Sequence, residues 1–217
     1  MSDRTLLAGE SNLTGNSGVR RVRKARSKLR ILGSILVVLL LIISVFAVFV
    51  ALQPTEYSVT RSALMSAHPR AIFDQVNDFH NWDAWSPWAK LDPAARNTFE
   101  GPASGVGAGF SWSGNDKVGE GKMTITQSHP NDLVLIDLEF IKPFASSCNT
   151  EFTFKPQGNQ TLVTWTMSGK NGFVAKAFCL FANLDKAVGG DFERGLSRLK
   201  AVVEKQSTRP ADLALIR

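Results

Sequence analysis

Few residues in this 217-residue chain have the types and spacing to do chemistry. Glu120, Glu139 and Glu151 are available as general acids or bases. A catalytic carboxylate must point into a cavity, where desolvation raises its pKa. All three fall on the polar side of alternating runs, so cross-strand pairing with Lys122 or Lys155 is their expected role. His80 is the one weak catalytic candidate, because it stands beside Asn81-Trp82 in a loop expected to edge an apolar face. Its other reading is a loop histidine bonding a backbone carbonyl. His68 opens a helix before Pro69, and His129 falls in a turn. Gly105-Val106-Gly107-Ala108-Gly109 lacks the glycine spacing of a dinucleotide fingerprint, has no following Gly-Lys-Ser/Thr, and leads into a strand; a turn is expected. No Ser/His/Asp arrangement, Cys/His ligand spacing or HExxH occurs, so neither a metal site nor a cofactor is expected. The balance points to binding over catalysis, with a reaction left open.

Trp82, Trp85 and Trp88 put three indoles within seven residues. They fit a satellite core, a lid or mouth over a cavity, or an interfacial belt at a membrane surface. Another apolar stretch, Phe173 to Phe181, fits either core or a gate.

The elements that position these residues are legible from periodicity. Tyr57 to Met65 reads as a strand, and His68-Pro69 starts a helix with Ile72, Phe73, Val76 and Phe79 on one face. A Trp-rich loop follows over 80–96. Strands are then expected over 97–100, 107–113, 118–128, 132–141, 147–156 and 160–169, joined by turns such as His129-Pro130-Asn131-Asp132 and Gln157-Gly158-Asn159. Consecutive strands with tight turns imply an antiparallel sheet. Phe181, Leu184, Val188, Phe192, Leu196, Leu199 and Val203 then recur at helical steps, with Gly189-Gly190 expected to interrupt or kink the helix. Along the strands Met123, Ile136, Leu138, Phe140, Phe152, Phe154, Trp165 and Met167 alternate with charged and hydroxyl residues. The reading is an α+β fold: a curved antiparallel sheet with one apolar face, wrapped around one long C-terminal helix. Periodicity alone leaves open whether that face encloses a cavity or a filled core.

The charge is unevenly spread. The net charge of +6 arises entirely within residues 1–52, which hold 8 basic and 2 acidic residues; residues 53–217 hold 17 of each. A nucleic-acid-binding fold, which needs its basic patch on the folded domain, is disfavoured. The seven basic residues from Arg20 to Arg30 precede Ile31 to Leu52, which carry no charge and span about 33 Å as a helix. The expected organisation is a disordered basic cytoplasmic tail over 1–30, a transmembrane helix over 31–52, a folded domain over 56–206 and a flexible tail over 207–217. The basic run places the N-terminus in the cytoplasm and the domain on the outer side of the cell membrane. That compartment permits disulfides, and for Cys148 and Cys179 one bridge or two buried free thiols both fit.

Several motifs then resemble a known family. Trp82-Asp83-Ala84-Trp85-Ser86-Pro87-Trp88 with Asp92-Pro93 is similar to the polyketide cyclase/dehydrase branch of the START-like (SRPBCC) superfamily. So are Gly105-Val106-Gly107, Trp112-Ser113-Gly114-Asn115, Gly119-Glu120-Gly121-Lys122-Met123, Phe140 with Pro143-Phe144, and Gly195-Leu196-Ser197-Arg198-Leu199-Lys200. The resemblance covers about residues 56–206 and implies a helix-grip fold whose apolar cavity takes lipids, polyketides or other hydrophobic molecules. The leading expectation is a membrane-anchored domain that binds a hydrophobic small molecule or lipid. Its wall residues are expected to be Trp112, Met123, Leu138, Phe140, Phe152, Trp165 and Met167, with Trp85 and Trp88 at the mouth. Trp165→Ala is expected to weaken binding without unfolding the domain. The alternatives are a cyclase- or dehydrase-type enzyme in the same cavity and a partner-binding envelope protein with a filled core.

Overall fold

The computed structural model describes residues 15–180 and 184–207. Helix α1 (Gly15–Ala51) is followed by β1 (Glu56–Met65), α2 (Pro69–Val76), a 3-10 turn (Phe79–Ala84), β2 (Arg96–Glu100), β3 (Gly109–Ser113), β4 (Glu120–His129), β5 (Leu133–Lys142), β6 (Ser146–Gln157), β7 (Gln160–Lys170), α3 (Phe173–Cys179) and α4 (Leu184–Ser207). The chain divides into two compact units at Gln53/Pro54.

In the first unit, α1 begins well before the apolar run. The basic stretch from Arg20 to Arg30, expected as part of a disordered tail, is helical and continues into the uncharged residues. Leu32–Ala51, 20 residues, is long and apolar enough to cross a membrane, and its large side chains other than Val50 are exposed. The remainder of the expected tails, 1–14 and 208–217, lies outside the described residues.

The second unit is one seven-stranded antiparallel sheet in the order β1-β7-β6-β5-β4-β3-β2. Every expected strand forms, with ends shifted by one or two residues. Each strand from β4 to β7 is joined to the next by a tight turn, and β1 returns to the far edge to pair with β7. The register shifts between β4 and β5 mark two bulges, one at Thr126 of β4 and one at Ile141 of β5, which bend and twist the pair there. Alternation gives one buried face: Met123 and Ile125, Val134 and Ile136, Phe152 and Phe154, Val163 and Trp165 are all sealed from solvent. The opposite face carries the Lys122–Glu139 pair at 3.6 Å and Glu151, as their parity requires.

Three segments cover the buried face. In α2 the buried side chains are Pro69, Ile72, Phe73 and Val76, the helical stripe; His68 caps its start by accepting from Arg70 N at 3.3 Å. The turn that follows buries Phe79 and Trp82. Helix α4 buries Phe192, Leu196, Leu199 and Val203. Phe192 stacks on Trp165 with ring centres 4.0 Å apart and planes 8° from parallel.

Gly189-Gly190 does not break α4, contrary to expectation; the helix runs through both. The reason lies across on β1. Arg61 has the inward parity of Val59 and Met65, and its guanidinium must leave the apolar face. It donates from Nη1 and Nη2 to the two Asp185 carboxylate oxygens (2.9 and 3.0 Å) and from Nε to Glu193 Oε1 (2.7 Å). A Cβ on Gly189 would lie 2.1 Å from Arg61 Nη2. Glycine at 189 is the space into which the guanidinium fits. At Gly190 a Cβ would meet only Arg194 Nη1, at 3.7 Å. The two adjacent glycines are therefore expected to respond oppositely. Gly190→Ala raises stability by about 0.5–1 kcal/mol through helix propensity. Gly189→Ala lowers it by dislodging Arg61. Urea midpoints of the two variants provide the check, and a rise in both would remove this account of Gly189.

Candidate functional site

The inward rows of the sheet change from sealed to open along the strands. The register sets Arg61, Trp165, Phe152 and Val134 side by side across four strands. Five rings pack on Trp165: Phe152 stacked at 4.7 Å, Trp85 edge-on at 5.8 Å, Trp88 edge-on at 5.9 Å, Trp82 edge-on at 6.4 Å and Phe192 stacked at 4.0 Å. Trp82 also lies 4.6 Å from Trp85. Three of the four indoles have their polar handles satisfied: Trp165 Nε1 donates to Thr150 Oγ1 at 2.8 Å, Trp82 Nε1 to the Val76 carbonyl and Trp85 Nε1 to the Gln75 carbonyl. This end is a packed core. Trp82 and Trp85 are buried in it, which removes them from any interfacial belt.

The next row, Val59, Met167, Thr150, Ile136 and Ile125, is also buried. Beyond it the cover thins. Leu138 and Phe110 are only half-buried, flanking Met123 on the sheet floor; Phe140 and Trp112 are half-buried one row further out. These side chains build a continuous aromatic wall. Phe110 and Trp112 lie nearly parallel at 6.0 Å, and Phe140 meets Trp112 edge-on at 6.2 Å. The Trp112 indole lies across Gly121, where a Cβ would come within 2.5 Å of the ring; its Nε1 donates to the Val118 carbonyl at 2.9 Å. Gly121 and that hydrogen bond fix the indole flat against the sheet.

The nine residues expected to bind ligand all lie on or against this face, in two groups. Trp85, Phe152, Trp165 and Met167 are buried in or beside the packed end, with Trp88 half-buried at its margin. Trp112, Met123, Leu138 and Phe140 form the open end. Phe110, Tyr57 and Cys148 belong to the same open rows and were not singled out from sequence, although parity with Trp112, Val59 and Thr150 was available to place them.

Ionisable groups are scarce on the open end. Its strand positions carry only the Tyr57 phenol and the Cys148 thiol. These two touch each other: burial pushes the thiol up, and a hydrogen bond from Tyr57 partly offsets it. Glu139 and Glu151 are on the other face, and Glu120, at the register shift, pairs with Lys142 at 2.7 Å on the rim. His80 is at the β2 rim, where Nδ1 meets Asp78 Oδ1 at 2.7 Å and the ring stacks on Phe99 at 4.0 Å. Asp78 also accepts from His80 N, so the pair caps the turn, and the expected backbone-carbonyl partner is a carboxylate instead. Cys148 is free; the Cys179 side chain lies outside the described residues. An open groove of about 450 Å³ runs along α4, lined by Gly190, Glu193, Arg194, Ser197 and Arg198. Its arginines are engaged, Arg194 by Asp191 and Arg198 by the Ser86 carbonyl.

Residues 56–204 match the family described as polyketide cyclase / dehydrase and lipid transport. No curated protein matches the chain. Among solved structures, protein CV1439 from Chromobacterium violaceum aligns with a TM-score of 0.51 at 12% identity, over 68% of this chain and 96% of that one. SA2116 from Staphylococcus aureus, a protein of unknown function, aligns with a TM-score of 0.53 at 11% identity, over 71% and 97%. The di-domain ARO/CYC StfQ from the steffimycin biosynthetic pathway aligns with a TM-score of 0.53 at 9% identity, over 71% of this chain and 53% of that one. At these identities the likeness is one of fold.

Two outcomes follow from the packing. Trp165→Ala is expected to cost about 3–5 kcal/mol, as for other buried aromatic truncations, so it unfolds or loosens the domain instead of cleanly weakening binding; thermal melts measure this. For Cys148, the folded thiol holds its proton to higher pH than the unfolded thiol does. Above about pH 8.5 the unfolded chain releases that proton first, so stability falls as pH rises. Denaturation midpoints between about pH 8 and 9.5 should decline in the native protein and decline less in Cys148→Ala. Equal slopes would mean the thiol is not shifted.

Proposed function

The chain belongs to the polyketide cyclase/dehydrase and lipid-transport family, and on that premise we propose that it is a membrane-anchored carrier or receptor for a hydrophobic small molecule or lipid. The observation that carries the reading is the half-buried wall of Phe110, Trp112, Leu138 and Phe140. These side chains lie on the inner face of the sheet, whose central rows are sealed beneath α2, the Trp-rich turn and α4. Affinity comes from apolar area removed from water, at about 25 cal/mol per Å² before the costs of association. Met123 forms the floor beneath the ligand. Trp85, Trp88, Phe152, Trp165 and Met167 form the closed end against which it stops. The anchor is Leu32–Ala51, with the basic run on the cytoplasmic side and the domain outside.

A reaction in the same cleft is the weaker reading. The open rows hold a phenol and a thiol bonded to one another, and neither a carboxylate nor an imidazole stands among their strand positions to move a proton. A filled core accounts for the packed end only.

Native mass spectrometry of the full chain in mild detergent, followed by organic extraction, tests the carrier reading. An apolar adduct in near-equal amount is expected. Trp112→Ala and Phe140→Ala should each weaken uptake of that compound, or of a fluorescent fatty acid, by about tenfold, corresponding to about 1.4 kcal/mol of lost burial. An empty protein that takes up neither probe would leave partner binding as the better account.

A further inference from the structure

The open end of the apolar face is also the end of the domain to which the anchor is tied. Only residues 52–55 separate α1 from β1, and four residues reach at most about 14 Å. The first residue of β1, Glu56, pairs with Lys170 at the end of β7, and Asn171 N donates to the Thr55 carbonyl at 2.7 Å. The same antiparallel register brings the start of β6, the β5–β6 turn over 143–145 and the β3–β4 loop over 114–119 to this edge. Lys142 and Glu120 close it with their ion pair.

This edge is unusually apolar for a solvated one. Phe144, at the tip of the β5–β6 turn, is 79% exposed; Ile141 beside it is 50% exposed, and Phe173, two residues beyond Asn171, is 53% exposed. Lys117, Lys142 and Lys170 are exposed around them, with Glu56, Asp116 and Glu120 also present. The opposite edge, the β6–β7 turn at Gly158-Asn159, is polar.

We propose that Phe144, Ile141 and Phe173 insert into the surface of the bilayer in which α1 is anchored, so that the open end of the apolar face is turned toward the lipid. The partner is a lipid surface. The tether holds this edge within reach of the headgroups, exposed aromatic and aliphatic tips gain by leaving water there, and flanking lysines reach phosphates while their stems cover apolar area. A ligand then passes between bilayer and cleft without crossing water. The inference rests on the anchored reading proposed above.

The test uses the full chain in phosphatidylcholine/phosphatidylglycerol vesicles whose acyl chains are brominated. Phe144→Trp and Asn159→Trp each add one indole at an exposed site, at the two ends of the sheet about 33 Å apart. The emission added at position 144 should fall by about half, because an inserted side chain sits roughly 5–10 Å into the headgroup and acyl boundary. The emission added at position 159 should be unchanged. Alkaline carbonate extraction of the native chain separates the two ideas. If the chain is retained but position 144 is not quenched, or both positions are quenched alike, the docking inference falls and the anchor stands. If carbonate releases the chain, the anchor itself fails and the docking falls with it.

Discussion

The parallel stack of Phe192 on Trp165, with Trp85, Trp88 and Phe152 edge-on or stacked around it, is the contact on which the arrangement above the sheet depends. It ties three sequence-distant segments, the Trp-rich turn, β7 and α4, to one point. It also decides what stays uncovered. Seven strands at about 4.8 Å span about 29 Å, whereas a helix with its side chains is about 10–12 Å across. One long helix, the eight-residue α2 and one short turn do not seal the whole of such a face. Because their rings converge on Trp165, they seal one end and leave the Leu138–Phe140–Trp112 end exposed.

Arg61 complements that stack at its margin. An inward-facing guanidinium on an apolar sheet would be costly without partners, and α4 supplies two carboxylates within hydrogen-bond distance. Arg61 holds the Asp185 carboxyl below the usual carboxylate range, chiefly through their direct hydrogen bonds. At 24% side-chain exposure the network is partly screened, so its value lies more in fixing the rotation of α4 than in net stability. That rotation directs Phe192 at Trp165.

The chemistry of the open end follows from the same geometry. Strand alternation puts Glu139 and Glu151 on the solvated face and leaves the open end of the inner face to rings, aliphatics and one phenol–thiol contact. Such a surface recognises by area and shape. Its polar atoms, the Trp112 indole N–H among them, are already committed to backbone. The edge at which β1 begins also carries the exposed tips of Ile141 and Phe144, so the half-buried aromatic wall and this apolar rim lie at the same end of the sheet.

Strands, their order of appearance, the buried face and the uncharged span were all legible in the sequence, because periods of two and 3.6 and a run without charge are local properties of the chain. Parity alone sent Glu139 and Lys122 outward and Met123 and Trp165 inward. The role of Gly189 was not legible: its reason is a guanidinium 128 positions away on β1, and a glycine pair in a helix reads locally as a break. Nor did any local signal separate Phe152 and Trp165 from Leu138 and Phe140, which alternate in the same way. Only tertiary structure placed the first pair under Trp85 and Phe192 and left the second pair half-exposed. Alternation fixes which face a side chain takes, but what lies above that face depends on where distant segments land.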